Sequence, residues 1–177
     1  GPLLLGGAVA TFFDGSNFVV DKMNLTNGMQ PVISHWANAS NGLDALLDPW
    51  NLVFGLAVLF LARILGILYI INNVNDEEIR RRGSAQLIGN SAVFLVLFLA
   101  FFFNTLLMHG YAYDQATGVI FTVPMKYFNN FIEMWYLAII FVIGVVFLLY
   151  GIIRTVLSKV YIRGIWPAGI GVVLVVL

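Results

Sequence analysis

Three long apolar runs, separated by polar connections, dominate the pattern of the chain. They cover about residues 50–72, 87–109 and 133–151. Each is about 20 residues long, enough for an α-helix rising 1.5 Å per residue to cross about 30 Å of hydrocarbon. A transmembrane β-barrel would need alternating segments of about ten residues, and the runs do not alternate. The pattern therefore predicts three complete transmembrane helices.

Two shorter apolar runs lie at the ends of the chain, "GPLLLGGAVATFF" and a final run that includes "GIGVVLVVL". Each offers about 13 residues, whereas a spanning helix needs about 20. No basic segment precedes the first run, which argues against a signal peptide. We expect two truncated helices of an internal piece of a longer polytopic protein, and two short interfacial helices are the alternative.

Composition supports this fold class. Hydrophobic residues make up 60 % of the chain and charged residues 10 %, whereas soluble domains carry about 25 % charged residues. We therefore predict an all-α integral membrane protein, a helical bundle of three complete and two truncated transmembrane helices. The absence of cysteine excludes disulfides, thiolate metal sites and cysteine nucleophiles. The net charge of zero gives no reason to expect a nucleic-acid partner.

The four connections, residues 14–49, 73–86, 110–132 and 154–164, differ in their basic residues. The second and fourth connections carry six in all, Arg80, Arg81, Arg82, Arg154, Lys159 and Arg163. The first and third connections carry only Lys22 and Lys126. Basic residues concentrate on the cytoplasmic side of membrane proteins. The second and fourth connections are therefore predicted to be cytoplasmic, and the first and third external.

One arginine, Arg63, interrupts the apolar stretch "LAVLFLARILGILYII" near its middle. An arginine at that depth costs about 2.5 to 3.5 kcal/mol on insertion scales. Within the chain no acidic residue is expected at the same depth. We predict that Arg63 faces protein and that its counter-charge lies outside these residues. The alternative is a lone arginine satisfied by backbone carbonyls and water.

The other polar residues of the apolar runs do not form a recognisable active site. They are Asn90, Asn104, Glu133 and His109. Haem ligation needs His or Met side chains that project from helices into a pocket, and no such pair stands at matching depth. No catalytic, cofactor-binding or metal-ligating residue is therefore assigned. The run "NDEEIRRR" is interpreted as a solvated helix extension with acid–base pairs, rather than as a headgroup site.

Three stretches together resemble one family. They are residues 18–82, which include "DPWNLVFGLAVLFLARILGILYIINNVNDEEIRRR", residues 121–135, "FTVPMKYFNNFIEMW", and residues 145–171, "VVFLLYGIIRTVLSKVYIRGIWPAGIG". They resemble subunit II of the cytochrome bd-type quinol oxidases. The resemblance implies a nine-helix subunit, of which this chain would run from the end of helix four to the start of helix eight.

The resemblance also implies a function and partners. Subunit II would pair with subunit I, which carries haem b, haem d and the quinol-oxidising loop. It would support assembly and the quinol-dependent reduction of oxygen to water in a bacterial inner membrane. Some members hold a structural quinone or a proton path, but the proposed proton-path acids lie in early helices that are absent here. No such residue is assigned.

Two other function classes stay open from the residues alone. An intramembrane arginine and glycine-interrupted helices suit a polytopic secondary transporter. A purely structural membrane scaffold is the third class.

Overall fold

Helices make up most of the chain in the computed structural model, which describes residues 1–20, 34–114, 118–158 and 160–176. Lys22 and Lys159, which entered the charge argument, lie outside the described residues. The helices are α1 (Pro2–Asp14), α2 (Pro49–Asn73), α3 (Glu77–Leu107), α4 (Lys126–Glu133), α5 (Trp135–Leu157) and α6 (Ile165–Val176). The strands are β1 (Phe18–Val20), β2 (Ser34–Trp36), β3 (Gly110–Tyr113) and β4 (Ile120–Val123). They form two antiparallel hairpins, β1–β2 and β3–β4.

Three of these helices, α2, α3 and α5, are long and apolar enough to cross a membrane. They correspond to the three predicted spans, and the all-α membrane fold class is confirmed. The terminal helices α1 and α6 are shorter, with 13 and 12 residues. The bounds of α2 differ from the predicted run by one residue at each end, because Asp48 and Pro49 mark its start. Asp48 Oδ1 accepts the backbone N–H groups of Trp50 and Asn51, which is N-terminal capping.

Helix α3 begins ten residues before the predicted run, at Glu77. Asp76 caps it by accepting the N–H of Ile79 at 2.8 Å. Glu78 forms salt bridges with Arg81 and Arg82 one turn later. The interpretation of this segment as a helix extension is confirmed. Residues 77–86 of the predicted 73–86 connection are therefore helical, because capping and ion pairs keep these polar residues in α3.

The third predicted span is also displaced. Glu133 does not open it but ends the separate helix α4, and α5 begins at Trp135. At the other end α5 continues to Leu157, six residues beyond Gly151, because glycine in a membrane helix permits close packing rather than ending the helix. The connection predicted over 110–132 contains the β3–β4 hairpin and α4, which the apolar pattern did not indicate.

The chain divides into two compact units, Gly1–Leu59 and Phe60–Leu177. In the first unit, α1 and the start of α2 approach closely at Gly6 and Gly55. A Cβ placed on Gly6 would lie 2.8 Å from the Cα of Gly55. Ala10 and Ala57, with at most 1 % exposure, complete this small-residue interface.

In the second unit, α5 and α6 pack as an antiparallel pair through glycines. A Cβ on Gly171 would lie 2.5 Å from the carbonyl oxygen of Gly144, and a Cβ on Gly151 would lie 2.6 Å from that of Gly164. Small residues allow two helix backbones to approach closely inside a membrane. The buried side chains Leu148 and Ala168 lie in the same pair of helices.

An aromatic ladder joins α3 to α4 and α5 within the second unit. Phe94, Phe98 and Phe102 stack along one face of α3, with ring centroids 5.5 and 6.2 Å apart. Phe141 of α5 stacks on Phe102 at 5.1 Å, and Phe131 of α4 meets both rings edge-on. Such aromatic pairs add about 0.5–1.5 kcal/mol each beyond the area they bury.

Candidate functional site

Arg63 lies on α2, 14 residues after Pro49 and ten before Asn73. At 1.5 Å per residue it is about 21 Å from one end of the helix and about 15 Å from the other. Its side chain is exposed on the surface of the chain. The guanidinium carbon lies 5.9 Å from the ring centroid of Phe60, one turn earlier. Arg63 forms no salt bridge with any carboxylate that the structure describes.

The geometry around Arg63 therefore places a permanent positive charge on an outward-facing part of a spanning helix. The cation–π contact with Phe60 is worth about 0.5–1 kcal/mol at an exposed site, less than the insertion cost of about 2.5 to 3.5 kcal/mol. Tyr69 and Ile70, further along the same helix, are also exposed. The contacts available in the described residues do not offset the charge, and the prediction about its counter-charge stays a prediction.

The other polar residues of the apolar runs lie apart from Arg63 in the chain and have local roles. Asn90 is buried in α3, where its Nδ2 donates to the carbonyl oxygen of Gln86 at 2.7 Å. Asn104 is half-buried near the end of α3, and His109 is exposed between α3 and β3. Glu133 is exposed at the end of α4. None of these side chains forms a site with Arg63.

The two histidines in the described part of the chain do not offer haem ligands on a spanning helix. Haem iron requires an axial His, Met, Cys or Tyr from a protected pocket. His35 lies on β2 and His109 follows α3, so neither histidine stands on a spanning helix, and both are exposed. Within the described parts of the chain, no group of three or more His, Cys, Asp or Glu side chains is arranged to hold a metal ion.

A polar pocket in the first unit was not indicated by the sequence. It has a volume of about 590 Å³ and lies between the end of α1, the segment after β2 and the start of α2. Its polar lining residues are Asp14, Ser16, Asn17, Asn38, Asp44, Asp48 and Asn51. The sequence places all of them in one polar connection or at its ends. Spacing alone did not show that Asp14 and Asp48, 34 positions apart, line the same pocket.

Asp44 is the hydrogen-bonding centre of this pocket. Its Oδ2 accepts from Asn17 Nδ2 at 2.6 Å and from Asn38 Nδ2 at 3.1 Å, and its Oδ1 accepts from Ser40 Oγ at 2.7 Å. Donors that stabilise the carboxylate lower the pKa of Asp44 to about 2, the Asn17 bond contributing most. Asp44 is therefore ionised and fully engaged at neutral pH.

Asp14, the first residue of the connection, has an environment that shifts its pKa in the opposite direction from that of Asp44. Burial raises the pKa of its carboxyl group, and the nearby charge of Asp48 raises that pKa further. Its Oδ2 is buried and accepts no hydrogen bond from a described residue. Asn51 Oδ1 is likewise buried without a donor, although Asn51 Nδ2 donates to the carbonyl oxygen of Ala45 at 3.0 Å. The pocket thus holds acceptor oxygens in excess of donors.

A family model described as cytochrome bd terminal oxidase subunit II matches residues 1–177, the whole chain. A comparison with curated proteins found no match. The matched length includes the three spanning helices, the stretch around Arg63 and the pocket around Asp44. The chain therefore belongs to the cytochrome bd terminal oxidase subunit II family.

Proposed function

We propose that this chain acts as the haem-free second subunit of a quinol-oxidising terminal oxidase. The observation that carries the proposal is the family match over residues 1–177. The family implies haems in the complex, and neither of the two described histidines of this chain stands on a spanning helix. The haems b and d would therefore belong to subunit I, which would oxidise quinol and reduce oxygen to water, while this chain supports assembly of the complex.

The setting of the proposed function is a bacterial cytoplasmic membrane. Three apolar spans and many exposed apolar side chains, among them Val96, Val146 and Ile153, suit contact with lipid or with a partner helix. Partners are subunit I, membrane lipid and, at the level of the complex, quinol. A structural quinone bound by this subunit is part of the family expectation, but no residue is assigned to it.

The proposed topology follows the basic residues. Arg80, Arg81 and Arg82 at the start of α3 and Arg154 near the end of α5 would face the cytoplasm. The pocket around Asp44 and the β3–β4 hairpin would face outward. These 177 residues contain no cysteine. A cysteine introduced at Glu77 or at Ser40 can therefore be labelled to show on which side of the membrane that residue lies. Labelling of residue 77 by an impermeant reagent in intact cells would contradict this topology.

Co-purification tests the proposed function. A tag on the full-length protein should recover a second membrane subunit, and the complex should show the absorption bands of haems b and d and oxidise quinol. The tagged subunit separated from its partner should show no Soret band. A Soret band of defined stoichiometry in the isolated subunit would contradict the assignment of all haems to the partner.

A further inference from the structure

The charge balance of the pocket around Asp44 is one-sided. The described residues of Gly1–Leu59 include three aspartates, Asp14, Asp44 and Asp48, and neither lysine nor arginine. All three aspartates line the same pocket. Asp44 is compensated by donors from Asn17, Asn38 and Ser40. Asp14 and Asp48 do not receive a comparable set of side-chain donors.

Three of the side-chain oxygens around this pocket accept no hydrogen bond from a described residue. Asp48 uses Oδ1 to cap α2, and its Oδ2 accepts no hydrogen bond from a described residue. Asp14 Oδ2 and Asn51 Oδ1 are buried without a donor. Asn51 is only 2 % exposed, and it cannot turn its amide to act as the missing donor, because Nδ2 is already held by the carbonyl oxygen of Ala45. Buried acceptors without donors are rare and point to a bound water or ion.

Two carboxylates and a carboxamide oxygen around one pocket are the ligand types of a hard cation. We propose that Asp14, Asp48 and Asn51 bind Ca²⁺. Calcium takes six to eight oxygen ligands in flexible geometry, and the pocket of about 590 Å³ admits the water molecules that complete such a shell. Magnesium demands a more regular octahedron. With two carboxylates, binding falls in the weak class, with a Kd of about 10⁻⁴–10⁻³ M.

The proposed site has a structural consequence. Asp14 is the last residue of α1, and Asp48 and Asn51 stand at the start of α2. Bound Ca²⁺ would tie these two helix ends together. A ligand that binds only the folded form raises the free energy of unfolding by RT ln(1 + [L]/Kd). Calcium should therefore raise the thermal unfolding temperature of the complex.

The experiment measures ⁴⁵Ca²⁺ binding by equilibrium dialysis on the purified full-length protein with its partner, after treatment with chelator. Wild type should bind one more Ca²⁺ per complex than the double variant Asp14→Asn/Asp48→Asn. Asparagine keeps the size of both side chains and remains a good N-cap at position 48. Glu77→Gln removes an exposed carboxylate outside the pocket and should bind as wild type does.

A second variant tests the site by gain of affinity. Asn51→Asp adds a third carboxylate but removes the Nδ2 donor to the carbonyl oxygen of Ala45, so its complex should be less stable than wild type without Ca²⁺ and should gain more thermal stability from Ca²⁺ than wild type does. Equal Ca²⁺ binding by wild type and the double variant would overturn the proposal. So would a wild-type stability that changes with pH around the Asp14 titration but not with Ca²⁺, since the pocket would then hold a proton.

Discussion

Hydrogen bonds to single polar residues stabilise the connection between α1 and α2. Asp44 gathers donors from residues four, six and 27 positions away in the chain, and all three bonds stabilise its ionised form. Because the folded pKa is about 2 and the ordinary value is 3.8, this stabilisation is fully present above about pH 4. It is lost as the pH falls through about 2.

Asp44→Asn should loosen this connection. The amide can keep its oxygen toward Asn17 and Asn38 while its N–H₂ group turns to the Ser40 hydroxyl, but the negative charge that strengthens all three hydrogen bonds is lost. Hydrogen–deuterium exchange at pH 7 should be faster for peptides covering residues 34–47 in the variant. Wild type should keep its protection when the equilibrated pH is lowered from 7 to 4, because Asp44 stays ionised.

Asp76→Asn is a suitable control for this experiment, because asparagine also caps helices and residue 76 lies in another connection. It should leave the exchange of residues 34–47 unchanged. Indistinguishable exchange of those peptides in Asp44→Asn and wild type would show that the three hydrogen bonds do not hold the connection together.

Residues differ in how far the sequence alone identifies them. Arg63 stands out because a charge in an apolar run is unusual wherever the helix packs. Asp44 and Asn51 lie among other polar residues, where an aspartate or asparagine is ordinary. Their roles depend on which donors reach them, and Asn17 is separated from Asp44 by the β1–β2 hairpin. No local sequence pattern predicts the hydrogen bond between Asn17 and Asp44.

At the scale of elements, apolar length predicted the spanning helices, but not where they begin and end. A helix can continue beyond the apolar run when its polar residues are capped and paired, as α3 does from Asp76 to Arg82. The strands β1 to β4 have three or four residues each, too few to show an alternating pattern.

The glycine packing of α5 against α6 gives a prediction at this scale. Gly171→Ala places a Cβ 2.5 Å from both the carbonyl oxygen of Gly144 and the backbone nitrogen of Leu148, so the helices must separate. Overpacking of this kind costs about 1–3 kcal/mol. The thermal unfolding temperature of the purified complex should fall.

Gly169→Ala is the matched control on the same helix, because a Cβ there meets nothing within 4 Å. It should be neutral or should stabilise the protein by up to about 1 kcal/mol, since alanine is the better helix former. If both alanine variants unfold at the wild-type temperature, close approach of α5 and α6 is not required for stability.

At the scale of the whole molecule, family membership changes the meaning of the exposed surface. The chain belongs to the subunit II family of a terminal oxidase, so we expect an outward-facing charge on a spanning helix to contact a partner subunit. Arg63 is too far from either end of α2, about 15 to 21 Å, for its side chain to reach water comfortably. We therefore expect a carboxylate of a neighbouring helix or subunit, or of a cofactor, to pair with it.

Arg63→Leu should impair assembly, because it leaves that carboxylate buried without its partner at a cost of about 3–5 kcal/mol. Less partner subunit and less haem should co-purify with the tagged variant, and the complex should unfold at a lower temperature. Arg63→Lys keeps the charge and should lose less of both. Arg81→Leu is the control, because the side chain of Arg81 is 77 % exposed and its salt bridge with Glu78 is worth about 0.3–0.5 kcal/mol. The complex with this variant should assemble normally. If Arg63→Leu yields a complex with wild-type haem content, stability and quinol oxidase activity, then backbone carbonyls and water suffice for Arg63.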